Sequence, residues 1–471
     1  MVDVLVIGGG PAGVVAALRA ADSGAKTTLV TRDEFGGMAA NDGPVPVRTL
    51  AHAARLIRDA HQLGRYGIVV GEPSVDYPRL LARVREVVGE VQTNSTFRAQ
   101  INALAVNVHE NAGSARFIDP HTIETASRLR LSAAKIIICT GGIGRQLTVP
   151  GSQFTATHSD AWNLTSIPES ILVLGGGATG VQVASVFNAF GSKIQLFHAG
   201  PRMLPTEDED VSSAVASAFR SSGVVVRENF GIVESFETIP AGVRMWFAKD
   251  GQRDSVEASL VVSAIGWKAN TADLDLVKAG VETDERGFIQ VDEFLRTSSQ
   301  DIFAAGDVTG RLMLVPQAIQ QGFVAATNAV RGQTMTSADQ VAPIGSFTNP
   351  EYAQVGLTEA KARESYNIAT AMVGFDSTTR TIIDGQTYGF CKLIVDRQTR
   401  LILGCHVVGE RAVDITQVAA VAIAAGMRVD DLARVPLSFP TYAGALGRVA
   451  AKVTRQLNLT LDWQGGSVDL V

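Results

Sequence analysis

Two glycine fingerprints of the same design recur in this chain, Gly8-x-Gly10-x-x-Gly13 and Gly175-x-Gly177-x-x-Gly180. Each follows an apolar run of strand character, Val4–Ile7 in one case and Ile171–Leu174 in the other, and each opens a helix-like stretch. In that setting the first glycine makes a tight turn and the second lets the backbone approach a pyrophosphate. The third lets helix and strand pack closely, with the helix N-terminus aimed at the phosphates. A chain with two such units is committed to an α/β architecture holding two dinucleotides, an arrangement that points to a flavin paired with a nicotinamide.

The 471 residues suffice for about three domains, and 46% hydrophobic residues can fill their cores. A net charge of −6 and the lack of any run of five or more basic residues argue against a nucleic-acid surface. The longest apolar stretch, Val418–Met427, is too short to span a bilayer, and a first strand starting at residue 2 leaves no room for a signal peptide, so the expected location is cytoplasmic. Cys139, Cys391 and Cys405 are far apart in sequence, with strand-like surroundings that predict buried, inert thiols. No Cys/His cluster suggests a metal.

Along the chain, the first unit reads as strand Val2–Ile7, helix Pro11–Ser23 closed by Gly24, and strand Thr27–Thr31. A second helix is predicted from about Pro46 to Leu63, with Leu50, Ala54, Ile57 and Leu63 at helical spacing. Lys135–Cys139 leads into Thr140-Gly141-Gly142, and Leu260–Ile265 into Gly266. A further strand ends in Ala305-Gly306-Asp307, delivering one carboxylate to a glycine turn. From about residue 341 the strands Phe390–Val395 and Leu401–Val408 with the helix Val413–Met427 predict a separate α+β domain.

These landmarks, in this order and over essentially the full length, resemble the class I pyridine nucleotide-disulfide oxidoreductases, among them lipoamide dehydrogenase, glutathione reductase and mercuric reductase. The resemblance implies two Rossmann-like domains and a C-terminal α+β dimerisation domain. It places an FAD-binding domain over residues 1–150 and 286–340, an NAD(P)H-binding domain over 151–285, and the dimerisation domain over 341–471. For FAD it implies Gly8, Gly10, Pro11, Ala12, Gly13, Gly37, Met38, Thr140, Gly141 and Asp307, the last accepting a hydrogen bond from the ribityl chain. For the nicotinamide it implies Gly175, Gly177, Gly180 and Gly266. The acid expected on the FAD ribose is Thr31, with Asp33 or Glu34 as possible substitutes. The acid expected on the nicotinamide ribose is His198, with Arg202 four residues on; the pair could bind a 2′-phosphate, which favours NADPH over NADH. Either residue could equally belong to a surface loop.

The chain departs from that family at the chemistry. The two redox cysteines correspond to Ala39 and Pro44, and the C-terminal His-Pro-Thr segment is Phe439-Pro440-Thr441, followed by Tyr442. A thiol–disulfide relay needs a nucleophilic sulfur and a proton partner, and both are missing. The family's lysine beside the flavin is Arg48 and its glutamate partner is Gln182. Arg48 could stabilise charge on the reduced flavin and Gln182 could shift to admit the nicotinamide, unless Arg48 merely snorkels to solvent. A helix Pro316–Val330 is expected to aim its N-terminus at the flavin. The reading is an FAD-dependent NAD(P)H oxidoreductase passing electrons directly to a diffusible acceptor such as a quinone, working as a homodimer. In it Phe439 and Tyr442 of one subunit reach the other's flavin, and Tyr442 either donates a proton or packs at the interface. The alternatives are transhydrogenation between NADH and NADP, and a flavin-binding scaffold without turnover.

Overall fold

The computed structural model describes residues 2–94, 96–337 and 341–460. The first sheet sets the parallel strands Asn107–His109, Thr27–Val30, Val2–Ile7 and Arg130–Ile138 side by side, with Ile302–Ala304 returning onto the last and the antiparallel Thr122–Thr125 and Ala115–Asp119 extending it. Val4, Leu5, Val6 and Ile7 are all buried, as a parallel strand covered on both faces requires. The helices Pro11–Asp22 and Val315–Arg331 pack together on one face. Their contact explains a distant glycine: a Cβ on Gly322 would lie 2.1 Å from the Ala12 carbonyl oxygen.

A second parallel sheet is built from Val225–Glu228, Lys193–His198, Ser170–Leu174, Leu260–Ser263 and Ala156–Thr157. Sequence patterning did not single out the three-stranded antiparallel sheet that follows it, Ile232–Ile239, Gly242–Lys249 and Gln252–Ala258. Its buried residues, Phe236, Val243, Met245, Phe247 and Val256, alternate with mostly half-buried ones and pack over Leu172, Leu174 and Phe197. The two nucleotide-binding units are joined by a short antiparallel ribbon, Gly142–Gly144 against Trp267–Ala269.

The C-terminal unit is a five-stranded antiparallel sheet, ordered Ile344–Ser346, Tyr352–Gly356, Ile402–Val408, Phe390–Asp396 and Ile368–Gly374, with helices Ala412–Ala424 and Gly444–Gln456 against it. It is fastened to the second unit by a buried charge cluster. Lys392 Nζ lies 2.8 Å from Asp208 Oδ1, 2.5 Å from Asp210 Oδ2 and 2.7 Å from Glu359 Oε2. Burial alone would raise the Asp208 carboxyl, but the Lys392 ammonium and the Glu359 N–H outweigh it and hold it low.

Most element boundaries fall within a few residues of the sequence expectation. The second helix begins earlier, at Pro44, because proline at the first helical position needs no N–H partner and Gly43 precedes it as cap. The C-terminal helix spans Ala412–Ala424, ending three residues before Met427. Among the described residues no helix is long and apolar enough to cross a membrane.

Candidate active site

A cavity of about 850 Å³ runs from the first fingerprint past the start of the Pro44–Gln62 helix to the start of the Val315–Arg331 helix. Its glycines fall into two classes. At Gly8 and Gly13 a Cβ would lie 2.2 Å from the Cys139 oxygen and 1.8 Å from the Gly8 oxygen, so the fold itself demands glycine. The same holds at Gly175 and Gly180, where the corresponding distances are 2.2 Å to Ala264 and 1.8 Å to Gly175 oxygen. At Gly10 the nearest protein atom to a Cβ is 3.9 Å away, and at Gly177 none lies within 4 Å. Packing does not explain glycine there; close approach of a pyrophosphate does.

FAD fits the first of these cradles. The helix Pro11–Asp22 begins at the fingerprint with Gly10 as its cap and Ala12 buried behind it, and Gly37 rests against Gly10 with Met38 beside it on the cavity wall. Thr140 Oγ1 is buried without a protein partner on that wall, next to Gly141, leaving a hydroxyl for a ligand. Asp307 lies beside Gly142 on the same wall, its carboxyl pushed up by burial. Gln321, which sequence reasoning missed, holds the turn before it, accepting from Gly306 N at 2.8 Å. The helix Val315–Arg331 opens at the cavity with Val315 and Pro316 lining it. Thr31 is buried with its hydroxyl on the Asp33 carbonyl, so the acids on this part of the wall are Asp33 and Glu34.

Arg48 and Gln182 meet at the wall between the units, 3.3 Å apart from Nη1 to Oε1. Arg48 does not snorkel outward. Its guanidinium lies over the Phe347 ring at 3.4 Å from the centroid, and burial lowers its pKa to about 10 against the opposing pull of Glu351, which leaves it charged at neutral pH. Gln182 is more firmly held than a residue expected to swing aside. Its Oε1 accepts from Phe347 N at 3.2 Å and from Ser346 Oγ at 3.4 Å, and its Nε2 donates to Phe347 O at 3.2 Å. The amide is thus paired with a main-chain amide of the C-terminal segment.

The loop Gly37–Pro44 confirms that no sulfur stands at either redox position. Ala39 sits in the short helix Gly37–Asn41, and Pro44 is the first residue of the next helix; both line the cavity. Cys139 also lines it, but burial pushes its thiol up to about 12. Cys391 and Cys405, though distant in sequence, are neighbours on adjoining strands and wholly buried; each other's presence and burial raise the Cys391 thiol far above its ordinary range. All three are buried, and neither Cys139 nor Cys391 offers a thiolate.

Tyr442 is not brought to Arg48 and Gln182 within the chain. Its hydroxyl donates to Asp384 Oδ2 at 2.9 Å, and burial together with that carboxylate raises its pKa. Phe439 is 74% exposed on the segment before it. At the second fingerprint, His198 Nδ1 accepts from Gly176 N at 3.2 Å, and burial lowers its pKa in spite of nearby Glu228, keeping it neutral. Arg202 folds back onto its own loop, donating to the carbonyls of Leu204, Pro205 and Glu207. In the structure the Arg202 guanidinium is thus held by main-chain carbonyls of its own loop, and the His198 ring by the second fingerprint's Gly176. Gly266 follows the strand Leu260–Ser263 with φ of 107°, which favours glycine.

Sequence reasoning also passed over a polar group on the same cavity wall. Ser159 Oγ donates to Asp42 Oδ2 at 2.5 Å and lies 3.4 Å from His158 Nε2, and the His158 ring meets Trp267 edge-on at 4.9 Å between centroids. Asn270, also on the wall, donates to the Thr140 carbonyl.

Comparison with known proteins agrees with this construction. Residues 2–322 match the family model described as pyridine nucleotide-disulphide oxidoreductase, and residues 342–450 match its dimerisation domain. A mercuric reductase of Lysinibacillus sphaericus is 32% identical over 449 residues, covering 94% of this chain and 81% of that protein. A dihydrolipoyl dehydrogenase of Thermus scotoductus is 32% identical over 464 residues, covering 96% and 98% respectively. Among solved structures, the HOCl-induced flavoprotein disulfide reductase RclA from Escherichia coli superposes with a TM-score of 0.84 at 26% identity, covering 95% of this chain and 99% of that one. The chain belongs to the pyridine nucleotide-disulphide oxidoreductase family, whose members use FAD with NAD(P)H.

Proposed function

We propose that this protein is an NAD(P)H-dependent flavoenzyme that hands electrons directly to a diffusible acceptor, a quinone or a comparable redox dye, with no sulfur between flavin and acceptor. The observation that carries the reading is the pairing of an intact two-nucleotide framework with Ala39 and Pro44 at the relay positions and no ionisable thiol on the cavity wall. FAD, when bound, accepts a hydride and releases two electrons together or singly, so a relay is dispensable.

The chain's own groups then have definable work. Arg48, charged and held against Phe347, supplies a fixed positive charge at the wall. The N-terminus of the Val315–Arg331 helix adds the positive end of its dipole. Gln182 keeps the wall in register by its paired bonds to Phe347. Ala39 and Pro44 give an apolar surface where a flat ring can rest, and a second subunit would close it with Phe439, consistent with the dimerisation domain.

Rapid mixing tests the proposal. Enzyme reduced by NAD(P)H under anaerobic conditions should be reoxidised by quinones and not by lipoamide, glutathione disulfide or mercuric ion. Reoxidation by any of those three at a catalytic rate overturns it, as does a flavin that NAD(P)H does not reduce.

A further inference from the structure

Reducing a quinone to its quinol takes two electrons and two hydrogens. One hydrogen leaves the reduced cofactor with the electron pair as its N–H bond breaks and an O–H bond forms; the other must arrive as a proton at the second quinone oxygen. The family's C-terminal histidine is Phe439 here, and Tyr442 is committed to Asp384. Among the described residues His158 is the only imidazole on the cavity wall. It stands against Asp42, which lies between Ala39 and Pro44, the positions from which the family's disulfide faces the flavin.

We propose that His158, Ser159 and Asp42 form the proton relay of the acceptor half-reaction, with His158 as the group that gives the proton to the reduced acceptor. This rests on the direct-transfer reading above. The three side chains make a continuous chain of contacts at the cavity wall, which Asp42 and His158 both line. Asp42 is 35% exposed, its Oδ2 is 2.5 Å from Ser159 Oγ, and that oxygen is 3.4 Å from Nε2 of His158, whose side chain is only 8% exposed. Nε2 refills from the serine, and Nδ1, which makes no bond within the trio, delivers. The proton lost by the imidazole is replaced through the Ser159 hydroxyl from Asp42 and solvent, so charge and hydrogen balance over the turnover.

The groups facing the imidazole are Asp42 from the loop before Pro44, Asp160 on its own helix and the Trp267 ring from the ribbon. Burial lowers its pKa, and the two carboxylates oppose that shift. Thr157 and Asp160 cap the helix that carries it, fixing its approach.

The test compares an acceptor that needs a proton with one that does not. In reduced holoenzyme, His158→Gln should slow reoxidation by a water-soluble benzoquinone at least tenfold more than reoxidation by ferricyanide, on the scale general acid catalysis contributes, and should flatten its pH profile. Ser159→Ala should show the same selectivity in smaller degree. Independently of turnover, NMR titration of the oxidised protein should find the His158 pKa below its ordinary value, and lower still in Asp42→Asn, which removes a charge that favours imidazolium. Equal slowing toward both acceptors, or an imidazole pKa unmoved by Asp42→Asn, overturns the relay. Wild-type enzyme that no quinone reoxidises overturns the direct-transfer reading instead, a distinct result.

Discussion

Arg48→Ala removes one charged group whose whole setting is defined. The guanidinium loses a 3.3 Å bond to Gln182 and a stack on Phe347. Gln182 Oε1 keeps Phe347 N and Ser346 Oγ, so the wall stands and the cost to folding is that of the lost stack, about 0.5–2 kcal/mol. The effect on the cofactor is larger in consequence. With a pKa near 10 the group is fully charged at pH 7 and favours the anionic reduced flavin. A charged hydrogen-bonding group in a partly buried site contributes about 1.5–3 kcal/mol. A two-electron couple shifts by about 30 mV per 1.4 kcal/mol, so the midpoint should fall by about 30–65 mV. Reduction by NAD(P)H should slow in parallel, and Arg48→Lys should recover part of both, retaining charge without the planar stack. A midpoint titration against a reference dye and single-turnover stopped flow provide the measurements. A variant unchanged in both would remove Arg48 from the chemistry and leave it a packing residue.

Reductive titration should consume two electrons per FAD with no long-wavelength thiolate-to-flavin band; four-electron uptake would show a second two-electron acceptor, which from cysteine requires an oxidised pair such as the neighbouring Cys391 and Cys405. Arg202→Ala should change the ratio of kcat/KM for NADPH over NADH by less than about threefold, whereas loss of a charged phosphate contact of about 1.5–3 kcal/mol would change it more than tenfold. Lys392→Met should destabilise the protein by about 3–5 kcal/mol in urea unfolding, because Asp208 is left buried and uncompensated. In the wild type, Asp208 and Glu359 are held below their ordinary values, so their stabilisation is complete above the carboxylate range and lost as pH falls through it. A pH-independent midpoint between pH 6 and pH 3 would contradict this.

What could be read from the sequence was whatever is local. Val4–Ile7, the glycines behind it and Pro11 specify a strand, a turn and a helix within a dozen residues, and those elements lie where expected. The missing cysteines and histidine were equally plain, because they are identities at fixed spacing. The commitments of long side chains were not. Arg202 looks like a phosphate ligand until its three carbonyl partners are seen, and nothing in the chain announces that Lys392 reaches three acids from two other segments. Asp42 and Ser159 are 117 positions apart, and their contact exists only because the ribbon brings the second unit over the first.

The Gln182 amide reads both the N–H and the carbonyl of Phe347, which only a side chain with a donor and an acceptor can do. Gln182→Glu would set a carboxylate oxygen against that carbonyl, with no hydrogen between them. The neutral amide and the Phe347 main chain therefore hold each other in place, and an acid here requires the backbone at Phe347 to turn away.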